Sequence, residues 1–172
     1  MSENYIVING KKAELTKEQM KQLGINVEEK KETPFTRHPN ESYWYINAMN
    51  SVTGQHDYND DFDNVVYNNV NYFNDYEFAR QVVLHQLLYR KLLKYAYDTD
   101  TISKWNDERD EYGDSLKHYF ISRNYNIITY AVDYTVHRKH LNTVYFCSEK
   151  AAWDAIDKVI YPFEREHPEF VW

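Results

Sequence analysis

The sequence predicts an α+β protein built from two related antiparallel strand-rich units, each followed by a helix, with an N-terminal β-hairpin plus short helix in front. Two matches within the chain support this class. Residues 45–47 match residues 120–122 at an offset of 120 − 45 = 75. Residues 71–79 match residues 144–152 at an offset of 145 − 72 = 73, through a shared Tyr-Phe pair. Because both copies combine aromatic strands, a capping residue and an amphipathic helix, the pattern indicates an internal repeat.

The pattern divides the chain of 172 residues into five segments. A length of this order suits a single compact domain or two small halves that share a core. The segment that follows the N-terminal element is charged, contains two prolines and has no hydrophobic period, so it is interpreted as a linker. The predicted boundaries are 1–25 for the hairpin-helix element, 26–40 for the linker, 41–98 for the first unit, 99–116 for an acidic connector and 117–172 for the second unit.

The N-terminal element has the local signals of a hairpin and a helix. Asn9 and Gly10 reach positive φ angles readily, which suits a tight turn between two short strands. Thr16 and Gln19 have the spacing of a capping box, and Gly24 stands where a short helix should end.

In the first unit, strands are predicted at residues 43–47, 52–55 and 70–73. Asn74 is predicted to cap a helix, with Glu77 three residues later. The helix has a length of about 33 Å at the standard rise per residue and should form the spine of the core. Its apolar face comprises Phe78, Val82, Leu88, Leu92, Tyr95 and Ala96.

In the second unit, strands are predicted at residues 117–123, 127–134 and 143–146. Residues 125–127 are aligned with residues 50–52 of the first unit. Ser148 is predicted to cap a helix that ends before a proline, Pro162. The apolar positions with helical spacing are Ala152, Ala155, Ile156, Val159 and Ile160.

Charge and cysteine content limit the classes of function. The formal net charge is −7, from 27 acidic and 20 basic residues. This charge disfavours a general binder of the phosphate backbone and allows an acidic patch that binds a basic protein groove. Cys147 is the single cysteine, so no disulfide forms within the chain, and a buried structural thiol is expected there. With no signal-peptide pattern or membrane-spanning run, we expect a soluble cytoplasmic protein without membrane contact.

Catalytic signatures are mostly excluded. The four glycines are far apart, which excludes a P-loop or a dinucleotide-binding loop. Asp57, Asn59 and Asp61 resemble the start of a calcium loop. However, Phe62 replaces the required glycine, and Asn68 replaces the final glutamate. Because no nucleophile, base and oxyanion set is recognisable, the expectation is no enzyme, no catalytic residue and no cofactor.

A metal site is the weakest hypothesis. His137 and His140 have a spacing that allows metal binding together with another histidine such as His118. The intervening Arg138 and Lys139 would repel a cation, so an exposed basic turn is favoured and no metal is predicted.

Two acidic stretches interleaved with aromatic residues are the predicted partner-binding sites. Spaced carboxylates and rings imitate the phosphates and bases of DNA and offer apolar anchors to a protein. The alternative is a solvated loop, because charge runs usually keep loops soluble. If the first stretch binds and inhibits a partner protein, replacing residues 60, 61 and 63 with asparagine should weaken inhibition of that partner without unfolding the protein. The predicted residues are Asp57, Tyr58, Asp60, Asp61, Phe62 and Asp63 in a loop of the first unit, and Asp107, Glu108, Asp110 and Glu111 in the connector.

A basic strand face provides an alternative site. Cations beside aromatic rings form the usual surface for single-stranded nucleic acid. The candidate residues are Tyr119, Arg123, Tyr125, Arg138 and Lys139.

A set of short motifs also points to a family. They occur in the order INGK, ELTKEQ, PFTR, YWYIN, NYF, WN and VYF, between residues 8 and 146. Together they resemble a widespread group of small bacteriophage and mobile-element proteins of Gram-positive bacteria. Some phage proteins of this size and acidity are anti-CRISPR inhibitors that bind Cas9. The resemblance implies a non-catalytic protein that binds and inhibits a host defence nuclease, such as a Cas9-type nuclease or its guide complex. The alternative is a nucleic-acid-binding phage accessory module.

Overall fold

The computed structural model describes residues 5–8, 11–24, 31–103, 116–124 and 129–171. The chain divides into an N-terminal unit, residues 1–33, and a larger unit, residues 34–172. The described residues form an α+β protein with antiparallel two-stranded hairpins, a long helix and a C-terminal helix, which confirms the predicted class. None of the helices in the described part of the chain combines the length and the apolar character needed to cross a bilayer.

The N-terminal unit contains the predicted hairpin and helix. Strands β1, Tyr5–Ile8, and β2, Lys11–Glu14, pair antiparallel, and helix α1 spans Lys17–Gln22. Thr16 and Gln19 form the expected capping box, in which each side chain accepts a hydrogen bond from the other residue's backbone N–H. Gly24 follows the helix with a φ of 69°, the left-handed conformation that ends many helices. The turn at residues 9–10 lies outside the described residues.

The first hairpin of the larger unit consists of β3, Ser42–Ile46, and β4, Val52–His56, with Trp44 opposite Gly54. The Asn47 carboxamide shapes the turn, because its Oδ1 accepts hydrogen bonds from the backbone N–H groups of Met49 and Ser51. Asparagine is common in turns because its side chain forms such hydrogen bonds with the backbone a few residues on. Both strands lie within one residue of their predicted bounds.

The predicted strand at residues 70–73 is wrong except for its last residue. Phe73 exchanges two backbone hydrogen bonds with Trp44, of 2.7 and 2.8 Å, and forms an isolated bridge. Val70 has a φ of 56°, which is incompatible with a strand. The side-chain amide of Asn71 bonds to both the N–H and the C=O of Ile46. These are the two hydrogen bonds that the backbone of a paired strand residue would make.

A helix was missed between the first hairpin and this bridge. Helix α2 spans Asp61–Asn68, a region predicted as a loop. Its N-terminus is a capping box, in which Asp60 accepts a hydrogen bond from the Asp63 N–H and Asp63 accepts one from the Asp60 N–H.

Helix α3, Tyr76–Asp98, is the predicted spine, and its 23 residues give a length of about 34 Å. The cap is Asp75 and not Asn74 as predicted, because the Asp75 carboxylate accepts a hydrogen bond of 3.0 Å from the Phe78 N–H. Asn74 is instead tied to the segment before β3, since its N–H donates to the carbonyl of Pro34. One apolar cluster joins α3 to the second hairpin and the C-terminal helix through Leu84, Leu88, Tyr130, Ile156, Ile160 and Phe163.

The second hairpin consists of β5, His118–Asn124, and β6, Thr129–Thr135, with Tyr119 opposite Tyr134. The predicted third strand at residues 143–146 is again reduced to one residue, Phe146, which bridges to Tyr119, with hydrogen bonds of 2.8 and 3.1 Å, and also to Ile102. In the strand register, Val52 of the first hairpin corresponds to Val132, at an offset of 132 − 52 = 80. The predicted alignment of residues 50–52 with residues 125–127 is therefore wrong, because the second hairpin is longer.

The C-terminal helix is capped by Ser148, as predicted, since its hydroxyl accepts a hydrogen bond from the Ala151 N–H. It continues through α4, Glu149–Ala155, a π-helical turn, Ile156–Ile160, and α5, Tyr161–Glu166. The prediction that Pro162 ends this helix is wrong. Proline lacks an N–H and clashes with the carbonyl four residues earlier, and the wider π turn before it relieves both problems.

Candidate partner-binding surface

A buried ion pair fixes the chain at the end of the first hairpin. The Arg37 guanidinium donates hydrogen bonds of 2.6 and 2.8 Å to the two carboxylate oxygens of Asp57, and one of 2.7 Å to Asn64 on α2. Asp57 is completely buried, and its Oδ1 also accepts from the Asn59 N–H at 2.8 Å. The hydrogen bond from Arg37 lowers the pKa of Asp57 to about 2 and raises the pKa of Arg37. Residues 34–40, part of the predicted linker, thus belong to the larger unit.

A second buried carboxylate, Asp63, holds the start of α2. Its Oδ1 accepts a hydrogen bond of 2.8 Å from the Tyr43 hydroxyl. Its Oδ2 accepts from the backbone N–H groups of Tyr58, at 2.7 Å, and Asp60, at 3.2 Å. Burial, and then the bond to Asp63, raises the pKa of the Tyr43 phenol. Since Asp57 and Asp63 bond to the backbone between them, residues 57–60 are held in one conformation.

Aromatic rings pack beneath this network. The rings of Tyr43 and Tyr72 stack at 4.2 Å between centroids, and Tyr67 meets Tyr72 edge-on at 5.8 Å. Val66 of α2 is buried in the same cluster. Burial raises the pKa of Tyr72, whose hydroxyl accepts a hydrogen bond from the His38 N–H. Helix α2 is therefore anchored by polar and apolar contacts on its inner side.

The outer side of this region exposes apolar and acidic groups together. Tyr58 is 69% exposed, Phe62 45% and Val65 57%. Phe62 and Val65 are three residues apart on α2 and share a face, and Asp60 and Asp61 are exposed beside them. We call these five residues the acidic-aromatic face. The Phe62 ring meets Tyr45 edge-on at 5.4 Å, so the face rests on the first hairpin.

Only some of the residues predicted to bind a partner are exposed. Tyr58, Asp60, Asp61 and Phe62 are exposed, whereas Asp57 and Asp63 have no exposed surface. The prediction that asparagine at residues 60, 61 and 63 leaves the fold intact is inconsistent with the geometry at Asp63, whose buried carboxylate accepts three hydrogen bonds. The predicted connector residues Asp107, Glu108, Asp110 and Glu111 lie outside the described residues.

The alternative basic strand face is not assembled as one surface in the described residues. Tyr119 packs against the apolar core, with its ring 6.0 Å from Tyr134. Arg123 lies four residues along β5 and therefore on the same side as Tyr119. Arg138 and Lys139 are exposed in the loop after β6. Tyr125 lies outside the described residues.

That loop packs on the opposite side of β5. The His140 ring lies 5.5 Å from the ring of Phe120, the strand neighbour of Tyr119. The backbone N–H of His140 donates a hydrogen bond of 2.7 Å to the Tyr145 hydroxyl. His137 is exposed. In residues 5–8, 11–24, 31–103, 116–124 and 129–171, no three His, Cys, Asp or Glu side chains are grouped so that they could hold a metal ion.

Two further findings concern the second hairpin. Cys147 is exposed, so the expectation of a buried thiol is wrong. The buried run of this segment ends at Phe146, one residue before Cys147. A buried histidine was missed: the His118 Nδ1 lies 2.5 Å from the Oγ of the half-buried Ser103, and burial lowers the pKa of His118. The repeat contained a signal for this burial, because His118 aligns with the buried Tyr43 at the offset of 75.

Comparison with protein-family models, curated proteins and solved structures gave no match for this chain. The function is therefore argued from the geometry of the larger unit, because a fold class alone does not determine activity.

Proposed function

We propose that this protein is a non-catalytic binding protein whose acidic-aromatic face docks on a basic surface of a partner protein. The observation that carries the proposal is the joint exposure of Tyr58, Phe62 and Val65 beside two exposed carboxylates. Partly exposed aromatic residues are enriched at the energetic centres of protein interfaces. The neighbouring carboxylates would attract a cationic partner and orient it on approach.

Rigidity of the platform supports the same proposal. Asp57 and Asp63 bond to the backbone of residues 58–60, and Asn64 ties α2 to Arg37. A binding surface that is already ordered loses little conformational entropy when it binds. The buried carboxylates therefore hold the exposed carboxylates and rings in a fixed arrangement before a partner binds.

The partner that we propose is a host defence nuclease, and the first candidate is a Cas9-type nuclease or its guide complex. The nucleic-acid channel of such an enzyme is lined with cations and would accept a face that mimics DNA through carboxylates and rings. The net charge of −7 supports this choice over direct binding of nucleic acid. The site of action would be the cytoplasm of the host cell.

We also propose that the two strand-helix units of the larger unit arose from one ancestral unit. Trp44 bridges to Phe73, and Tyr119 bridges to Phe146, at the offsets of 75 and 73 found in the sequence. In both cases a helix begins three residues after the bridge phenylalanine and is capped by a side chain. This correspondence supports a duplicated scaffold in which only the first copy carries the acidic-aromatic face.

A DNA-cleavage assay with a purified Cas9–guide complex tests the proposed activity. Wild-type protein should reduce cleavage, and the double variant Asp61→Asn/Phe62→Ala should inhibit at least about tenfold more weakly, as expected for an interface anchor. Both residues are exposed and neither holds the buried network, so the variant should keep the far-UV circular dichroism of the wild type.

The matched control is Trp153→Ala/Asp157→Asn on the C-terminal helix. Trp153 is 42% exposed, close to the 45% of Phe62, and Asp157 is an exposed carboxylate on the same helix. This control should inhibit like the wild type. Equal loss in both variants would assign the effect to general charge or hydrophobicity, and no inhibition by the wild type would remove Cas9 as the target.

A further inference from the structure

A groove of about 510 Å³ lies in the larger unit, away from the outer side of α2. One wall is a stripe on α3, where Val82, Gln86 and Arg90 follow each other at intervals of four residues and span about 12 Å. The opposite wall combines the β3–β4 turn with the loop after α2. Its remaining lining residues are Phe35, Ile46, Asn47, Ala48, Asn50, Asn69, Val70, Asn71 and Phe73.

The lining has polar groups in excess of those that the fold uses. Asn47 and Asn71 bond to the backbone of the first hairpin and are structural. Within the described residues, the side chains of Asn50, Asn69, Gln86 and Arg90 form neither a hydrogen bond nor an ion pair. Asn69, Gln86 and Arg90 are exposed to solvent, so their polar groups are accessible to a ligand beside the apolar residues of the groove.

Val70 is strained at the rim of this groove. Its N–H donates to the Tyr67 carbonyl and the Asn71 N–H to the Val66 carbonyl, the two bonds that end a helix with a left-handed residue. Glycine normally occupies that position, and a β-branched residue with a φ of 56° is an outlier. The Val70 side chain is 64% exposed, so its packing inside the protein does not explain the strain. Backbone outliers of this kind concentrate at functional sites.

The chemistry of the lining indicates the class of ligand. It contains one guanidinium, from Arg90, and no carboxylate, although the chain has 27 acidic residues. Arginine binds phosphate through paired hydrogen bonds. An amide of Asn or Gln presents a donor and an acceptor that match the edge of a nucleobase, and a phenyl ring such as that of Phe35 stacks on its face.

We propose that this groove binds a nucleotide, with the base against Phe35 and Val70, its edge on the amides of Asn50, Asn69 or Gln86, and the phosphate on Arg90. The source of the nucleotide is a free nucleoside monophosphate or the end of a nucleic acid strand, which share this chemistry. One phosphate bound by a single arginine needs no glycine-rich loop, so the site is compatible with the absence of such a loop. The proposal is independent of the acidic-aromatic face.

Isothermal titration of the full chain with AMP, GMP, CMP and UMP tests the proposal. At least one nucleotide should bind saturably, and Arg90→Ala should weaken its affinity at least about tenfold, because the charged contact to phosphate is lost. Gln86→Ala should weaken binding about threefold and leave the preference for phosphate intact. Val70→Gly should also weaken binding, while thermal unfolding shows a fold that is at least as stable as the wild type.

The control on the same helix is Lys94→Ala, one turn beyond Arg90, whose ammonium pairs with Asp98. It should bind like the wild type. Adenosine and inorganic phosphate separate the contributions of base and phosphate, and each should bind more weakly than the nucleotide. A short single-stranded oligonucleotide with and without a 5′-phosphate distinguishes the two sources. No saturable binding of any nucleotide, or equal affinity of Arg90→Ala and the wild type, would overturn the proposal.

Discussion

The two hairpins of the larger unit have the same hydrogen-bond frame and bury different chemistry behind it. In each, an aromatic residue of the first strand exchanges two backbone bonds with a later phenylalanine, Trp44 with Phe73 and Tyr119 with Phe146. The residue before each phenylalanine is a buried tyrosine, Tyr72 or Tyr145, whose hydroxyl accepts a hydrogen bond from a loop N–H.

The interiors differ in charge. The first hairpin buries two carboxylates, Asp57 and Asp63, with the Arg37 side chain 14% exposed beside Asp57. The second buries a histidine, His118, which hydrogen-bonds to the half-buried Ser103. The segment after each second strand differs accordingly, since helix α2 follows the first hairpin and a loop follows the second. We infer that the aromatic pattern specifies the hydrogen bonds shared by the two hairpins. The buried charges specify the segment that follows each hairpin and is exposed to solvent.

The largest expected effect comes from breaking the ion pair of the first hairpin. Arg37→Ala leaves the fully buried Asp57 carboxylate without its partner, which should lower the free energy of unfolding by about 3–5 kcal/mol. Chemical denaturation measured by circular dichroism checks this value. Lys94→Ala removes an exposed ion pair and should change stability by less than about 1 kcal/mol. A loss below about 1 kcal/mol for Arg37→Ala would show that the network does not hold this hairpin.

The second effect separates the two hairpins by pH. Burial lowers the pKa of His118 from 6.5, so the stability that its neutral form provides is complete above pH 6.5 and falls as the pH drops below that value. The pKa of Asp57 is lowered from 3.8 to about 2, so its contribution of roughly 2 kcal/mol is complete above pH 3.8 and is lost as the pH falls toward 2. Acid should therefore destabilise the second hairpin first.

Denaturation curves between pH 8 and pH 2 check these two windows. His118→Asn should remove the part of the decline that begins near pH 6.5, and Asp57→Asn the part that begins near pH 3.8. The exposed acids Asp154 and Glu166 also have lowered pKa values, but solvent screens their ion pairs. An unchanged profile for His118→Asn would contradict the assignment of the first window.

A matched pair of tyrosine variants compares the two frames directly. Tyr72→Phe and Tyr145→Phe keep the buried ring and remove one hydroxyl each, so both should lower stability by about 1 kcal/mol. Tyr145→Phe loses a hydrogen bond of 2.7 Å from the His140 backbone, and Tyr72→Phe loses two bonds to the His38 backbone, of 3.2 and 3.3 Å, so the two losses should be of similar size. Urea denaturation gives both values. A loss for only one variant would mean that the corresponding tyrosines have different structural roles.

The smallest effect concerns the end of α2, a helix that the second hairpin lacks. Val70→Gly relieves a left-handed β-branched residue, and the entropy of glycine in the unfolded chain offsets part of the gain. We expect a net stabilisation of about 0.5–1 kcal/mol, visible as a higher melting temperature. A destabilisation of the same size would show that the exposed side chain makes a stabilising contact.

Most of the frame was predictable because its signals are local or repeated. Thr16 and Ser148 cap their helices as predicted, and the repeated Tyr-Phe pairs identify both bridge residues. Helix α2 was missed because it has only eight residues and its capping box uses Asp at both positions, whereas the usual signature is Ser or Thr followed by Glu or Gln. The continuation of the C-terminal helix past Pro162 was missed because a π turn depends on packing that no local pattern reports.

The site was less predictable because its geometry comes from contacts between distant residues. The acidic stretch at residues 57–63 was recognised, but burial of Asp57 depends on Arg37, 20 residues earlier, and burial of Asp63 depends on Tyr43, also 20 residues earlier. No residue in the stretch distinguishes the buried carboxylates from the exposed ones. The groove at Arg90 left no sequence signal, since four separate segments of the chain line it.

The central claim is that the first hairpin carries a binding face and the other exposed aromatic surfaces do not. The most direct test is a quantitative pull-down from host lysate with three baits of equal stability: wild type, Asp61→Asn/Phe62→Ala and Trp153→Ala/Asp157→Asn. The account predicts a specific partner that the wild type and the Trp153 variant capture equally and that the Phe62 variant loses. Equal capture by all three baits would contradict it.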